Sequence, residues 1–256
     1  MFAPRVIPIL LLSNGGLVKT KQFNDASYIG DPINAVKIFN DKEVDEIVFL
    51  DIQASKKNQK PNYEIIKKIA SECFMPLAYG GGITQIDQVD RILNIGVEKI
   101  IINSSAISNP NIINQIAKIT GSQSVVVSID IKKTFFGNYS IYSHSKEKVL
   151  KTNIIDYLKK VEELGAGEII INSVDNDGMM NGYDIKLLKM VRDTIMIPFI
   201  ACGGAGSVDD LKKVIGLGGV HAVAAGSMFV FHGKHNAVLI NYLNDEHLDY
   251  IYNVDN

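Results

Sequence analysis

Cysteine is nearly absent from this sequence. Cys73 and Cys202 are the only two in 256 residues, too few for a disulfide framework or a cysteine-based zinc spacing. Net charge is also scarce. Lysine and arginine nearly balance aspartate and glutamate, leaving −2, which argues against a dedicated nucleic-acid or membrane-surface protein. No apolar run reaches transmembrane length. Met1-Phe2-Ala3-Pro4-Arg5 lacks the basic stretch, apolar core and cleavage site of a signal peptide, so a cytoplasmic protein is expected. Five histidines are present, and His221, His232, His235 and His247 fall at no ligand spacing. His144 could titrate near neutrality, but a lone histidine is more often structural. No Ser–His–Asp order and no Walker loop occur. Neither a metal nor a cofactor is expected.

What is present is a repeated pattern of apolar run, glycine turn and amphipathic stretch. It occurs at Leu77-Ala78-Tyr79-Gly80-Gly81-Gly82-Ile83 and again at Ile200-Ala201-Cys202-Gly203-Gly204-Ala205-Gly206, each opened by a proline, Pro76 or Pro198. Glycine lets a backbone approach a ligand closely, and a helix N-terminus behind it favours negative charge. Each turn is a candidate phosphate cradle, and two of them suggest a substrate phosphorylated at both ends. The structural alternative is a tight turn at the end of a barrel strand.

Eight apolar runs read as buried strands: Arg5–Leu12, Glu46–Asp51, Pro76–Tyr79, Lys99–Ile102, Ser124–Ile129, Glu168–Ile171, Pro198–Ala201 and His221–Ala224. Helical patterns alternate with them, and Asp31-Pro32 places an N-cap and an N1 proline at the first. Alternation of this kind implies a parallel sheet. Eight units with no spare strand predict an α/β protein, a (β/α)8 TIM barrel, over residues 1–256. The glycine-turn repeat divides it into half-barrels of about 1–121 and 122–256. Ser13–Gly30 reads as a long polar loop, Lys133–Tyr142 as a hairpin-like insertion, and Asn236–Leu243 as the final helix. The tail from Asp245 shows no assignable element.

In such a barrel the active site lies at the C-terminal ends of the strands. Asp51 and Asp130 end apolar strands there, where partial burial raises a carboxylate toward acid–base use. A turn cap is the alternative for either. Asn103-Ser104 follows strand four beside the first glycine turn (Gly81, Gly82), and Gly226-Ser227 follows strand eight beside the second (Gly203, Gly204). Asp177-Gly178 lies near the second, and Lys19 on the long loop could cover an anionic substrate. At the opposite end, Arg5, Glu46, Lys99 and Glu168 open four strands. Pointing inward, they would form a ring of two cations and two anions, either a structural plug or a gate for something small.

Together these motifs resemble a known family, the cyclase (synthase) subunit of imidazole glycerol phosphate synthase (HisF). The resemblance spans about residues 2–244. It rests on Asp31-Pro32, Phe49-Leu50-Asp51-Ile52, Gly80-Gly81-Gly82-Ile83, Ile102-Asn103-Ser104, Gly121-Ser122-Gln123, Ile129-Asp130, the Glu162–Ile169 segment, Asp175-Asn176-Asp177-Gly178 and Gly203-Gly204-Ala205-Gly206. It implies a glutaminase (HisH-type) partner at the barrel bottom. Ammonia would pass a gate formed by Arg5, Glu46, Lys99 and Glu168 and attack a bisphosphate, PRFAR, at the top. The products would be imidazole glycerol phosphate and AICAR. Of the family's two catalytic aspartates, Asp130 matches one. The other falls at Leu11, which cannot transfer a proton. The family's threonine and serine before Ser173 and Gly203 are Asn172 and Cys202 here, and its Arg-Asp-Gly-Thr run is Asn176-Asp177-Gly178-Met179. This pattern resembles paralogues of surface-sugar gene clusters. It implies an alternative role, a non-cyclising conduit that hands ammonia to a third, sugar-amidinating enzyme.

Overall fold

The computed structural model describes residues 4–253, so the outermost residues of the expected 1–256 unit lie outside the described residues. Eight parallel strands close into a barrel. They are β1 (Arg5–Ser13), β2 (Ile47–Asp51), β3 (Leu77–Gly80), β4 (Lys99–Ile102), β5 (Val125–Lys133), β6 (Glu168–Ser173), β7 (Phe199–Cys202) and β8 (Ala222–Ala225). Each pairs with the next, and β8 pairs with β1 to complete the circle. Helices α1 (Pro32–Asp41), α2 (Tyr63–Glu72), α3 (Ile86–Ile95), α4 (Asn111–Thr120), α5 (Ile154–Glu163), α6 (Ile185–Arg192) and α7 (Val208–Gly218) connect successive strands. This is the (β/α)8 barrel. The Asp31 carboxylate accepts from the N–H groups of Ile33 and Asn34, and Pro32 opens α1.

Two apolar layers form the core. The larger lies between strands and helices, with Phe39, Phe49 and Phe199 among its fully buried side chains. The smaller fills the barrel and contains Ile7, Ile9, Val48, Ile101, Val126, Ile170 and Ile200. Side chains alternate along a strand. The register that sends Ile7 and Ile9 inward therefore also sends Arg5 inward below them and Leu11 inward above. The same count aligns Lys99 and Ile101 on β4 with Asn103 just beyond it, Val126, Ser128 and Asp130 on β5, and Glu168, Ile170 and Asn172 on β6.

Two expectations fail. Ser13–Gly30 is not a loop. β1 runs to Ser13, turns at Asn14-Gly15, and pairs antiparallel with Gly16–Lys21, which pairs in turn with Asn24–Gly30. Asn14 and Gly15 both have positive φ, 51° and 82°, the geometry of a two-residue hairpin turn. Nor is Asn236–Leu243 the final helix. Ala237–Val238 pairs with Phe231–His232, and the chain then continues without a regular element to Asn244. The Tyr242 hydroxyl donates to the Val6 carbonyl at 2.7 Å, an anchor that fixes this segment across the start of β1. The last helix, α8 (Asp245–Tyr252), lies in the tail instead. Asn244 caps it by accepting from the His247 N–H at 2.9 Å, and Asp245 and Glu246 occupy its first turn. No helix of the described residues is long and apolar enough to cross a membrane.

Candidate active site

The barrel mouth holds a cavity open to solvent, with a smaller lobe beside it. Ile9, Lys19, Asp177 and Cys202 line both, so the two are adjacent. Asp51, Gly81, Gly82, Asn103, Ser104 and Asp130 line the larger lobe. Gly178, Gly203, Gly204, Gly226 and Ser227 line the smaller. The two glycine turns thus line two neighbouring lobes of the mouth, with Asp130 in the larger.

Asp130 is buried at the upper end of β5. Asn103 Nδ2 donates to its Oδ2 at 2.8 Å, and Asn172 Nδ2 donates to its Oδ1 at 3.3 Å. Burial pushes the carboxyl up to about 7, against the pull of those two amides and with a contribution from Asp177. A group in that position can give or take a proton at neutral pH. Asp51 differs. Its Oδ1 accepts from the N–H groups of Gln53 and Ala54, both at 3.0 Å, so it caps the turn after β2 while lining the cavity.

Lys19 comes from the hairpin. It is 4 % exposed, and among the described residues it forms no ion pair. Burial lowers its pKa, with Asp177 acting in the opposite sense. Its Nζ lies only 2.1 Å from where a Cβ on Gly226 would stand, so glycine there admits the ammonium into the smaller lobe. The hairpin is tied down over the mouth. Thr20 Oγ1 donates to Asp177 Oδ2 at 3.0 Å, Gln22 N to the Asp177 carbonyl at 2.8 Å, and Gln22 Nε2 to the Asp175 carbonyl at 2.8 Å. Burial raises the Asp177 carboxyl, against the effects of Lys19 and Thr20. Burial pushes the Cys202 thiol up to about 12, so it stays protonated.

The glycine turns are shaped by packing as well as by any ligand. A Cβ on Gly82 would lie 2.5 Å from the Gln59 carbonyl oxygen. The long helices behind the turns cap themselves. Gln88 Oε1 accepts from Thr84 N and Gln85 N ahead of α3, and Asp210 Oδ2 accepts from Gly206 N and Ser207 N ahead of α7. Those bonds engage the N–H groups just ahead of each helix. The short helices after β4 (Ser104–Ser108) and β8 (Ser227–Val230) have no side-chain cap.

At the other end of the barrel four charges form a closed ring. The Arg5 guanidinium donates to both Glu46 and Glu168. Lys99 Nζ reaches Glu46 Oε2 at 2.8 Å and Glu168 Oε2 at 3.0 Å. Both carboxylates are buried. Burial alone would lower the Arg5 pKa, but Glu168 and Glu46 outweigh it and the net shift is upward. Among the described residues no group of three or more His, Cys, Asp or Glu converges to hold a metal ion.

The family described as histidine biosynthesis protein matches residues 5–236. A protein of Leptospira borgpetersenii, provisionally named imidazole glycerol phosphate synthase subunit HisF, is 54 % identical over 95 % of this chain and 96 % of its own. The Pseudomonas aeruginosa protein provisionally named subunit hisF2 is 50 % identical over 97 % and 99 %. The Alkaliphilus metalliredigens imidazole glycerol phosphate synthase subunit HisF is 38 % identical over 91 % and 92 %. The chain belongs to the HisF family of histidine biosynthesis proteins.

In this HisF-family barrel three of the substituted mouth positions are neighbours of the site. Leu11 lines the larger lobe, where the family resemblance implies a carboxylate. Asn172 contacts Asp130 directly, and Cys202 lines both lobes. Thr20 and Phe23 are among the lining residues that the sequence did not mark as functional, and His144, read there as more often structural, lines the larger lobe as well. Thr20 and Phe23 belong to the hairpin, and the Asn14-Gly15 dipeptide was the signal for it. His144 belongs to the excursion after β5, where Tyr139–Ser143 pairs with β5 and with Lys148–Val149.

Proposed function

We propose that this HisF-type barrel is the synthase subunit of a cytoplasmic glutamine amidotransferase. A HisH-type glutaminase docks at the N-terminal face and releases ammonia into the barrel. The ammonia attacks PRFAR at the mouth, which closes imidazole glycerol phosphate and releases AICAR. The observation that carries this reading is one axis: a closed charged ring below, an apolar barrel interior, and Asp130 with its two amides above.

Each part has a physical task. Neutral ammonia crosses an apolar interior cheaply, whereas ammonium would lose its hydration there. The ring must part for passage, and Lys99 has the flexible stem to swing. Exposed Phe74 and Met196 lie in the loops before β3 and β7, on opposite sides of that ring, and suit a docked partner. At the mouth, the smaller lobe follows β7 and β8, where barrel phosphate sites recur, and Lys19 adds a buried cation waiting for an anion. The larger lobe with Gly81, Gly82, Asn103 and Ser104 takes the second phosphate. Asp130, near 7, transfers the proton between them.

Leu11 favours a second reading, a conduit that passes ammonia to a third, sugar-amidinating protein above the mouth. Phe135 and Phe136, 98 % and 87 % exposed at the tip of the excursion after β5, would suit such a partner. The test is PRFAR turnover by the purified chain with excess ammonium at alkaline pH, beside a Leu11→Asp variant. Turnover by the wild type supports the cyclase. No turnover by the wild type and a gain in the variant supports the conduit.

A further inference from the structure

One titratable side chain in the mouth is not used by the reading above. His144 lines the larger lobe together with Leu11, Asp51 and Asp130. Its ring meets the Phe23 ring edge-on, with centroids 5.2 Å apart and planes at 84°. A hydrogen bond with the Ile52 backbone engages the imidazole, while Nε2 is buried with no partner. A buried, unpaired ring nitrogen is costly and calls for an explanation.

The topology says which side of the mouth His144 occupies. Ile52 N donates to the Leu12 carbonyl at 3.1 Å, and Leu11 pairs with Leu50 across β1 and β2. An imidazole held at Ile52 therefore stands at the upper end of β1 and β2, beside Leu11. Asp130 lies toward the upper end of β5, which faces β1 across an eight-stranded barrel. The mouth thus has Asp130 on one side, and on the other the imidazole together with Asp51, whose Oδ1 is engaged in its turn.

We propose that His144 faces the substrate, and that its Nε2 accepts the proton of the incoming nitrogen on the Leu11 side of the mouth, opposite Asp130. This rests on the cyclase reading. As the ammonia lone pair forms the C–N bond to a carbonyl carbon, the C=O π pair moves onto oxygen. One N–H proton passes to Nε2, giving an imidazolium, and the Asp130 proton passes to the oxygen, leaving a carboxylate. Nothing is oxidised or reduced, and the two groups exchange the proton back through solvent.

The surroundings fit that division of labour. Burial lowers the His144 pKa, and Lys56 from the loop after β2 lowers it further. Glu147 acts in the other direction but is itself held by Lys56 at 2.6 Å. Asp51 lines the same lobe and is occupied by its turn, and Phe23 brings no charge from the hairpin. The imidazole is therefore neutral at neutral pH with a lone pair to offer, while Asp130, at about 7, is protonated in a large fraction of molecules and can give that proton. Two titratable groups pushed toward opposite roles are the mark of an acid–base pair.

The test compares wild type, His144→Gln, Leu11→Asp and the double variant in ammonium-driven PRFAR turnover, at fixed free ammonia across pH. His144→Gln should lower kcat about 10²–10⁴-fold with KM little changed, and should remove the acid limb of the pH profile. Adding Leu11→Asp should restore at least about tenfold of that loss, because a carboxylate returns to the same side. An unchanged kcat, or a loss that keeps the acid limb and is not restored, overturns the proposal. If the wild type turns nothing over, the cyclase reading has failed, and imidazole ¹⁵N spectra judge His144 separately. Movement of its Nε2 signal on adding PRFAR supports the substrate-facing place, and no movement overturns it.

Discussion

Asn103 on the loop after β4 donates its side-chain amide to Asp130 on β5 across 2.8 Å. That bond favours the carboxylate and opposes burial, which favours the acid. Asn103→Ala should therefore move the titration of Asp130 above its present value of about 7. Carbon NMR of the labelled carboxyl would follow it directly. An unmoved or lowered titration would show that the amide does not set this balance.

Asp130 should also weaken the fold at alkaline pH. Its folded value of about 7 exceeds its ordinary 3.8, so the protein tolerates the acid better than the carboxylate. The stability it contributes is complete below the unfolded value and is lost as pH rises through the folded one. Fully ionised, it costs roughly 4 kcal/mol relative to the acid. Asp130→Asn should be more stable than wild type above neutrality, with the gap opening between about pH 4 and 7 in denaturant titrations.

Lys19 carries the same tension in the opposite sense. Burial lowers its pKa, so the charged form is a cost that is present below the folded value and fades as pH rises toward 10.5. Lys19→Met should stabilise the chain by about 1–3 kcal/mol at neutral pH, and by less as pH rises. It should also lose the thermal stabilisation that inorganic phosphate gives the wild type. Equal phosphate response in both proteins would remove Lys19 from the second cradle.

The ring at the barrel bottom should be costly to break singly. Glu168→Ala leaves Arg5 and Lys99 sharing Glu46, and removal of one partner from a buried pair costs about 3–5 kcal/mol. Chemical denaturation would read this loss. On the gate reading, glutamine-driven turnover with the glutaminase bound should change while ammonium-driven turnover persists.

Much of this architecture was legible in the chain. The eight apolar runs appear as the eight strands, because a strand buried on both faces needs continuous apolar sequence. Arg5, Glu46, Lys99 and Glu168 stand out because charges seldom open such runs. The hairpin was hidden because Lys19 and Thr20 are buried polar residues that spoil its alternation, although Asn14-Gly15 announced its turn. The role of α8 was hidden by its polar, aromatic composition, although Asn244 sits where an N-cap belongs. His144 could not be placed from sequence, since its neighbours Ile52 and Phe23 belong to distant segments joined only by the barrel's closure.

The most direct test is formation of imidazole glycerol phosphate from PRFAR with ammonium as the nitrogen source, in wild type and Asp130→Asn side by side. The account predicts wild-type turnover of about 1 s⁻¹ and a variant slower by about 10²–10⁴-fold. Equal rates in the two proteins, or no product from the wild type at saturating substrate, would contradict it.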